Sequence, residues 1–269
     1  MQAFVVPTLA VRLNDNHAIG LGLNVAWQQF KATGLYNFDN AMMSSHPGSV
    51  TGNGYDTSTG FGARIGWLGR LNDTVSLAAA YQTRTYMGEF DKYKGLFAEE
   101  GDFDIPASLH GGIAVTAMPG VLLAVDVSYI QYSEINAVAN PLLPNLGQAQ
   151  LGTEQGAGFG WEDMTVVKVG VAYDVTSDLT LRGGYNHGGQ PIPESETLFN
   201  ILAPGVVEDH LTFGGTWRVT PSAEISFAYM HAFEKTVEGS DSIPLDFGGG
   251  EADLAMSQDT FGLAFGMAF

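Results

Sequence analysis

The chain closes with Phe261-Gly262-Leu263-Ala264-Phe265-Gly266-Met267-Ala268-Phe269. Successive side chains of a strand point to opposite faces. Phe261, Leu263, Phe265, Met267 and Phe269 therefore share one face, and Gly262, Ala264, Gly266 and Ala268 share the other. A soluble sheet buries its large face and charges the second. Here the second face is nearly bare, which suits the crowded or water-lined interior of a barrel whose large side chains face lipid. The competing reading of these residues taken alone is the last strand of a soluble barrel.

Composition extends the same reading outward. With 35 Gly, no Cys, 15% charged and 45% hydrophobic residues among 269, the chain lacks the Glu, Lys and Arg that helices favour and is rich in strand and turn formers. It reads as all-β and as one domain over 1–269, since no linker-like stretch divides it. No apolar run approaches the roughly 18 to 20 residues of a membrane helix, so a membrane-crossing form must be a closed barrel. The absence of Cys is compatible with an oxidising compartment. A net charge of −18 excludes nucleic acid as a partner, because there is no surplus of cations to neutralise phosphates.

Segments of period-two alternation run over 3–13, 17–31, 58–71, 75–90, 105–118, 121–137, 163–176, 179–190, 207–219, 223–238 and 253–269. Their joints alternate between tight turns and long loops. The turns are Asn14-Asp15-Asn16, Asn72-Asp73-Thr74, Pro119-Gly120, Thr176-Ser177-Asp178 and Thr220-Pro221-Ser222. The loops lie near 34–57, 91–104, 138–162, 191–206 and 239–252. Outer-membrane barrels show this asymmetry, with short periplasmic turns and long outer loops. The ending on an aromatic strand resembles the terminal insertion signal of such barrels, and makes Phe269 the expected contact for the barrel-assembly machinery. Eleven strands is an odd count, whereas bacterial single-chain barrels have even numbers. The expectation is thus an antiparallel transmembrane β-barrel of which these residues form the C-terminal part. Met1-Gln2-Ala3 leads straight into a strand, with none of the features of a secretory signal.

Parity sorts the side chains. Ile19, Leu21, Leu23, Val25 and Trp27 face outward, as do Val167, Val169, Val171 and Tyr173, with Trp67, Tyr81, Tyr129, Trp217 and Tyr229 as interface aromatics. Arg12, Arg64, Arg70, Arg84, Lys168, Arg182 and Arg218 face inward, with Asp126 and Glu224. Four of these cations lie near the tight turns, where pairing with local acids or carbonyls explains them. Arg64, Arg84 and Lys168 stand nearer mid-barrel and are the candidate lumenal ligand-binding residues, suited to an amphiphile's carboxylate. Lys31 points outward at the rim, toward lipopolysaccharide phosphate. In the loops, Leu35, Tyr36, Phe38, Met42 and Met43 form one apolar cluster, and Leu142, Leu143 and Leu146 another. They read either as an outer hydrophobic groove or as small cores of the loops themselves.

Several spaced motifs carry a family resemblance. Gly160-Trp161-Glu162-Asp163, then Leu179-Thr180-Leu181-Arg182-Gly183-Gly184-Tyr185, Pro191-Ile192-Pro193, Val207-Glu208-Asp209-His210-Leu211-Thr212-Phe213-Gly214-Gly215, Tyr229-Met230-His231 and the Met267-Ala268-Phe269 ending occur in order. Together they resemble the FadL/TodX family of outer-membrane transporters for long-chain fatty acids and hydrocarbons. The resemblance implies a fourteen-stranded barrel with an N-terminal hatch, of which about eleven strands are represented here and the hatch with about three strands is not. It implies passive uptake of hydrophobic compounds, a hydrophobic small molecule as ligand, and outer-membrane lipid and lipopolysaccharide as surroundings. The family's basic loop residue before the Gly160 motif has no counterpart, since Gly156, Ala157 and Gly158 stand there.

Other chemistries fare worse. His110, His187, His210 and His231 are scattered, and no nucleophile is spaced to use them, so no catalytic residue and no enzyme activity is expected. The acidic loops lack an EF-hand pattern, and the glycine pairs do not open helices, so neither a metal nor a cofactor is expected. The rival function is a structural or surface-binding barrel, an adhesin or phage receptor, whose lumen conducts nothing.

Overall fold

Three of the tight turns are built alike. Asn14 Oδ1 accepts the N–H of Asn16 and His17, Asn72 Oδ1 accepts those of Thr74 and Val75, and Thr176 Oγ1 accepts those of Asp178 and Leu179. Each side chain satisfies the two backbone donors that reversal of the chain leaves without strand partners. At Pro119-Gly120 the φ of +78° at Gly120 does the same work through backbone freedom.

Between these turns the computed structural model, which describes residues 1–267, forms one antiparallel sheet. Its strands are β1 (Gln2–Val5), β2 (Thr8–Arg12), β3 (His17–Phe30), β4 (Asp56–Arg70), β5 (Val75–Gln82), β6 (Tyr86–Met87), β7 (Ser108–Met118), β8 (Val121–Ile130), β9 (Met164–Asp174), β10 (Leu179–Gly188), β11 (Asp209–Thr220), β12 (Ala223–Val237) and β13 (Leu254–Met267). These thirteen segments occupy eleven places, because β1 and β2 both pair with β3, and β5 and β6 both pair with β4. The sequence runs 3–13 and 75–90 are thus each two strands. Pro7, which has no N–H for the ladder, interrupts the first. In the second, Thr83 folds back to donate to the carbonyl of Ala63, and Arg84 turns toward the loops. Three other strands are shorter than their alternation predicts, since 105–107, 131–137 and 189–190 belong to the connections. Among the described residues no ladder joins β13 to the first strands. Among the described residues no helix is long and apolar enough to cross a membrane. Phe269 lies outside the described residues.

The register confirms the parity. Ile19, Leu21 and Val25 stand opposite Trp67, Ile65 and Phe61 on one face of the sheet. This face is apolar yet open: Leu21 is 58% and Phe213 49% exposed. Asn24 and Gln28, on the other face of β3, are buried. Such an inversion, greasy outside and polar within, is stable only when a lipid phase covers the outside. Replacing Val169, which faces outward in mid-strand, with Arg is expected to lower folding stability by about 2–4 kcal/mol in lipid vesicles, measured by urea titration; Ala172→Ser, on the inner face, is expected to cost far less.

Candidate functional site

Small residues line the inner face toward the tight turns. Gly170, Gly184, Gly214 and Gly262, with Ala124, Ala172 and Ala228, leave a cavity of about 860 Å3 along β8 to β13. Asp126 and Lys168, directly opposite one another on β8 and β9, bound it at one level, and Arg182 lies nearer the turns. Arg182 donates to Thr216 Oγ1 at 2.8 Å.

A polar belt continues around the wall at that level. Arg64 donates from Nε to Asn24 Oδ1 at 2.8 Å and from Nη2 to Gln82 Oε1 at 3.0 Å. His110 is held between Ser108 and Ser128 at 3.0 and 2.8 Å, and Asn186 meets His210 at 3.1 Å. The partners of Arg64 are neutral amides. No carboxylate among the described residues lies within ion-pairing distance of Arg64 or Lys168. Arg84 differs, because its donors are consumed. It pairs with Asp104 through Nε, with Asp102 at 3.4 Å, and reaches the carbonyl of Glu134 at 3.1 Å. This cluster ties the inward-folded segment 102–105 to the wall, aided by Gln28, which donates to the carbonyl of Phe103 at 2.9 Å. Burial and the neighbouring Asp104 push the Asp102 carboxyl up to about 7. Asn24 and Gln82 were legible as inward polar residues by parity, but their grip on Arg64 was not.

The two apolar loop clusters do not remain separate. Phe38, Leu142 and Leu146 are buried in one core with Val50, Phe90, Tyr93, Phe97, Leu151, Phe159 and Phe199, and Leu35, Met43 and Phe247 pack against it. Phe30, at the end of β3, meets the rings of Tyr93 and Phe97 at 4.9 and 4.8 Å, while Phe38 stacks on Phe247 at 5.0 Å. All five long connections thus contribute to one cap over the mouth. Tyr36, Met42 and Leu143 stay exposed on it. Lys31 sits 5.4 Å over the ring of Tyr55.

The cap also explains the Gly160-Trp161 motif. Gly160 has φ +66°, and a Cβ there would collide with Glu196. Trp161 donates to Asn200 Oδ1 at 2.6 Å, and Asn200 donates in turn to the carbonyls of Phe159 and Glu196. Glu196, whose carboxyl burial pushes up, accepts the N–H of Leu142 at 2.7 Å.

A lipid-facing antiparallel sheet curved around a small-walled, polar-belted lumen and capped by loops defines a class: an outer-membrane β-barrel channel. The chain belongs to the outer membrane protein transport protein (OMPP1/FadL/TodX) family, whose profile matches residues 2–269. This is a family of transport proteins, not enzymes. The fold is shared with the toluene transporter TodX of Pseudomonas putida, at 16% identity and a TM-score of 0.62, over 100% of this chain and 69% of that one. A FadL homologue of Pseudomonas aeruginosa matches at 16% identity and 0.67, over 99% and 67%. The deltaS2 mutant of the monoaromatic hydrocarbon channel TodX matches at 18% and 0.68, over 100% and 70%. No curated protein matches the sequence.

Two outcomes follow from the cap. Asp102 holds its proton far above the usual carboxylate range, so the attachment of 102–105 is complete below about pH 4 and weakens as pH rises toward about 7. Protease cleavage within 98–105 is expected to be faster at high pH, and Asp102→Asn to remove the difference. Asn200→Ala leaves two buried carbonyls, of Phe159 and Glu196, and the half-buried Trp161 indole N–H without their side-chain partner. It is expected to cost the cap about 2–3 kcal/mol, seen as faster cleavage within 191–206 with the barrel intact.

Proposed function

We propose that the protein is a passive channel through which hydrophobic compounds diffuse across the outer membrane, and that long-chain fatty acids are the class its lumen fits best. The observation that carries this is an 860 Å3 cavity walled largely by Gly and Ala and lined by Lys168, with Arg64 on the same polar belt farther round the wall; no carboxylate among the described residues lies within ion-pairing distance of either cation, Asp126 standing opposite Lys168 without closing a pair. A small-residue wall leaves room for a chain of methylenes and offers it few polar groups to desolvate. A guanidinium pre-oriented by two amides, with an ammonium on the same belt, favours a carboxylate at one end of that chain. Arg84 does not serve, because Asp102, Asp104 and Glu134 occupy its donors. In the cap, the exposed Tyr36, Met42 and Leu143 beside the half-buried Leu35 and Met43 and the buried Phe38, Leu142 and Leu146 offer a first apolar contact for an arriving solute. TodX is a toluene transporter, and neutral hydrocarbons are the alternative cargo for the same wall.

The test is uptake of labelled oleate and labelled toluene by cells carrying this protein, beside an Arg64→Ala, Lys168→Ala variant. Oleate uptake is expected to exceed that of cells without the protein and to fall about tenfold in the variant, the size of one or two charge-assisted hydrogen bonds, with toluene unchanged. Entry of toluene alone would move the cargo to neutral hydrocarbons. Entry of neither would leave a surface-binding barrel.

A further inference from the structure

Asp126 is the acid placed to neutralise Lys168, and it does not. The two stand directly opposite one another on β8 and β9, a register in which opposite charges ordinarily attract across the ladder. No oxygen of Asp126 lies within ion-pairing distance of the ammonium. The reason lies on the other flank of β8. Asp126 is also directly opposite Gly112 of β7, and a Cβ at that position would overlap Asp126 Oδ1. The carboxylate thus lies over the bare backbone of β7, on the side away from β9. It borders two spaces at once: the 860 Å3 cavity shared with Lys168, and a second cavity of about 380 Å3 along β2 to β8, lined by Gly20, Gly66, Ala78, Ala80 and Gly112.

Glycine weakens a strand relative to alanine, so one whose missing side chain seats a charge has a use. Most glycines of this inner wall seat nothing. At Gly20, Gly66, Gly170 and Gly262 a Cβ would find no atom nearer than 3.7 Å. Gly112 differs, and so does Gly22, directly opposite Arg64, where a Cβ would come within 2.9 Å of Arg64 Cγ. A glycine therefore sets the disposition of each cation of the belt. Gly22 seats the stem of Arg64 while its head turns to Asn24 and Gln82, and Gly112 seats the acid that would otherwise quench Lys168. On its far side Lys168 faces the neutral Asn186.

We propose that Gly112 is a positioning residue for carboxylate capture: by giving Asp126 a berth over β7, it keeps the Lys168 ammonium unneutralised beside the larger cavity. This rests on the carboxylate-binding reading of the lumen and adds a determinant of its selectivity. A side chain at position 112 drives Asp126 toward Lys168, and the pair so formed competes with the head group of an entering acid. The added methyl meets only the end of the Asp126 side chain and the Val125 carbonyl at 3.4 Å, so the strand accommodates it. An uncharged solute has no use for Lys168 and is indifferent to the change.

The test is the concentration of labelled oleate that gives half-maximal uptake by cells carrying the unmutated protein, a Gly112→Ala variant, or a Gly112→Ala, Asp126→Asn variant, with labelled oleyl alcohol as the uncharged control. Gly112→Ala is expected to raise the oleate value about threefold, half on a logarithmic scale of the tenfold expected for loss of both cations, and to leave oleyl alcohol where it was. Adding Asp126→Asn is expected to bring oleate back. An unchanged oleate value in the Gly112→Ala variant overturns the proposal, and so does a rise that Asp126→Asn fails to reverse. An equal rise for both solutes also overturns it, since the methyl would then be obstructing the lumen rather than moving a charge. If the unmutated protein takes up oleyl alcohol but no oleate beyond that of cells without it, the carboxylate reading itself falls, and this inference with it.

Discussion

In the hydrocarbon phase no water is available for an unpaired N–H or C=O, and each one left alone costs several kcal/mol. A chain with no helix long enough to cross must therefore give every spanning residue a ladder partner in a neighbouring strand. The rest of this structure depends on that demand. It explains why most of the strands run ten residues or more, why Pro7 lies in the first strand rather than a central one, and why Asn14, Asn72 and Thr176 pair the backbone donors of the turns with their own side chains.

Once the backbone is satisfied, the two faces divide the remaining physics. The outer face carries large apolar groups because lipid is its solvent. The inner face is free to be polar, and it places Arg64, His110 and Lys168 on one belt above a wall of glycine and alanine. The arginines of this interior are not equivalent. Arg84 neutralises acids of the cap and so belongs to its architecture, whereas Arg64 is oriented by amides that leave its charge available.

The two-residue period made the barrel legible, because the side-chain pattern and the ladder register are the same fact seen twice. The alternation and the Asx residues at the turns place the turn ends of the strands to within a position or two, while the loop ends of 75–90 and 121–137 are overrun by several residues. The cap was not legible in the same way. Phe38, Leu142, Phe159 and Phe199 lie in segments without periodicity, and their meeting is decided by distant neighbours. The motif at Gly160-Trp161 was visible as a pattern, but only the contacts of Glu196 and Asn200 give it a cause. Arg84 read as lumenal by parity; the turn of the chain after Gln82, which parity does not encode, sends it to Asp102 and Asp104 instead.

The shared core of the cap has a consequence for assembly. Each spanning hairpin pairs with its sequence neighbour, so the wall grows by local steps, one hairpin at a time. The cap joins Ala32 to Phe159 and Phe199, partners separated by well over a hundred residues, whose closure entropy is met only after the wall has brought their loops together. The mouth is therefore the last part to order. Loss of any one long loop is therefore felt across the whole cap, whereas the hairpins beneath keep their own ladders.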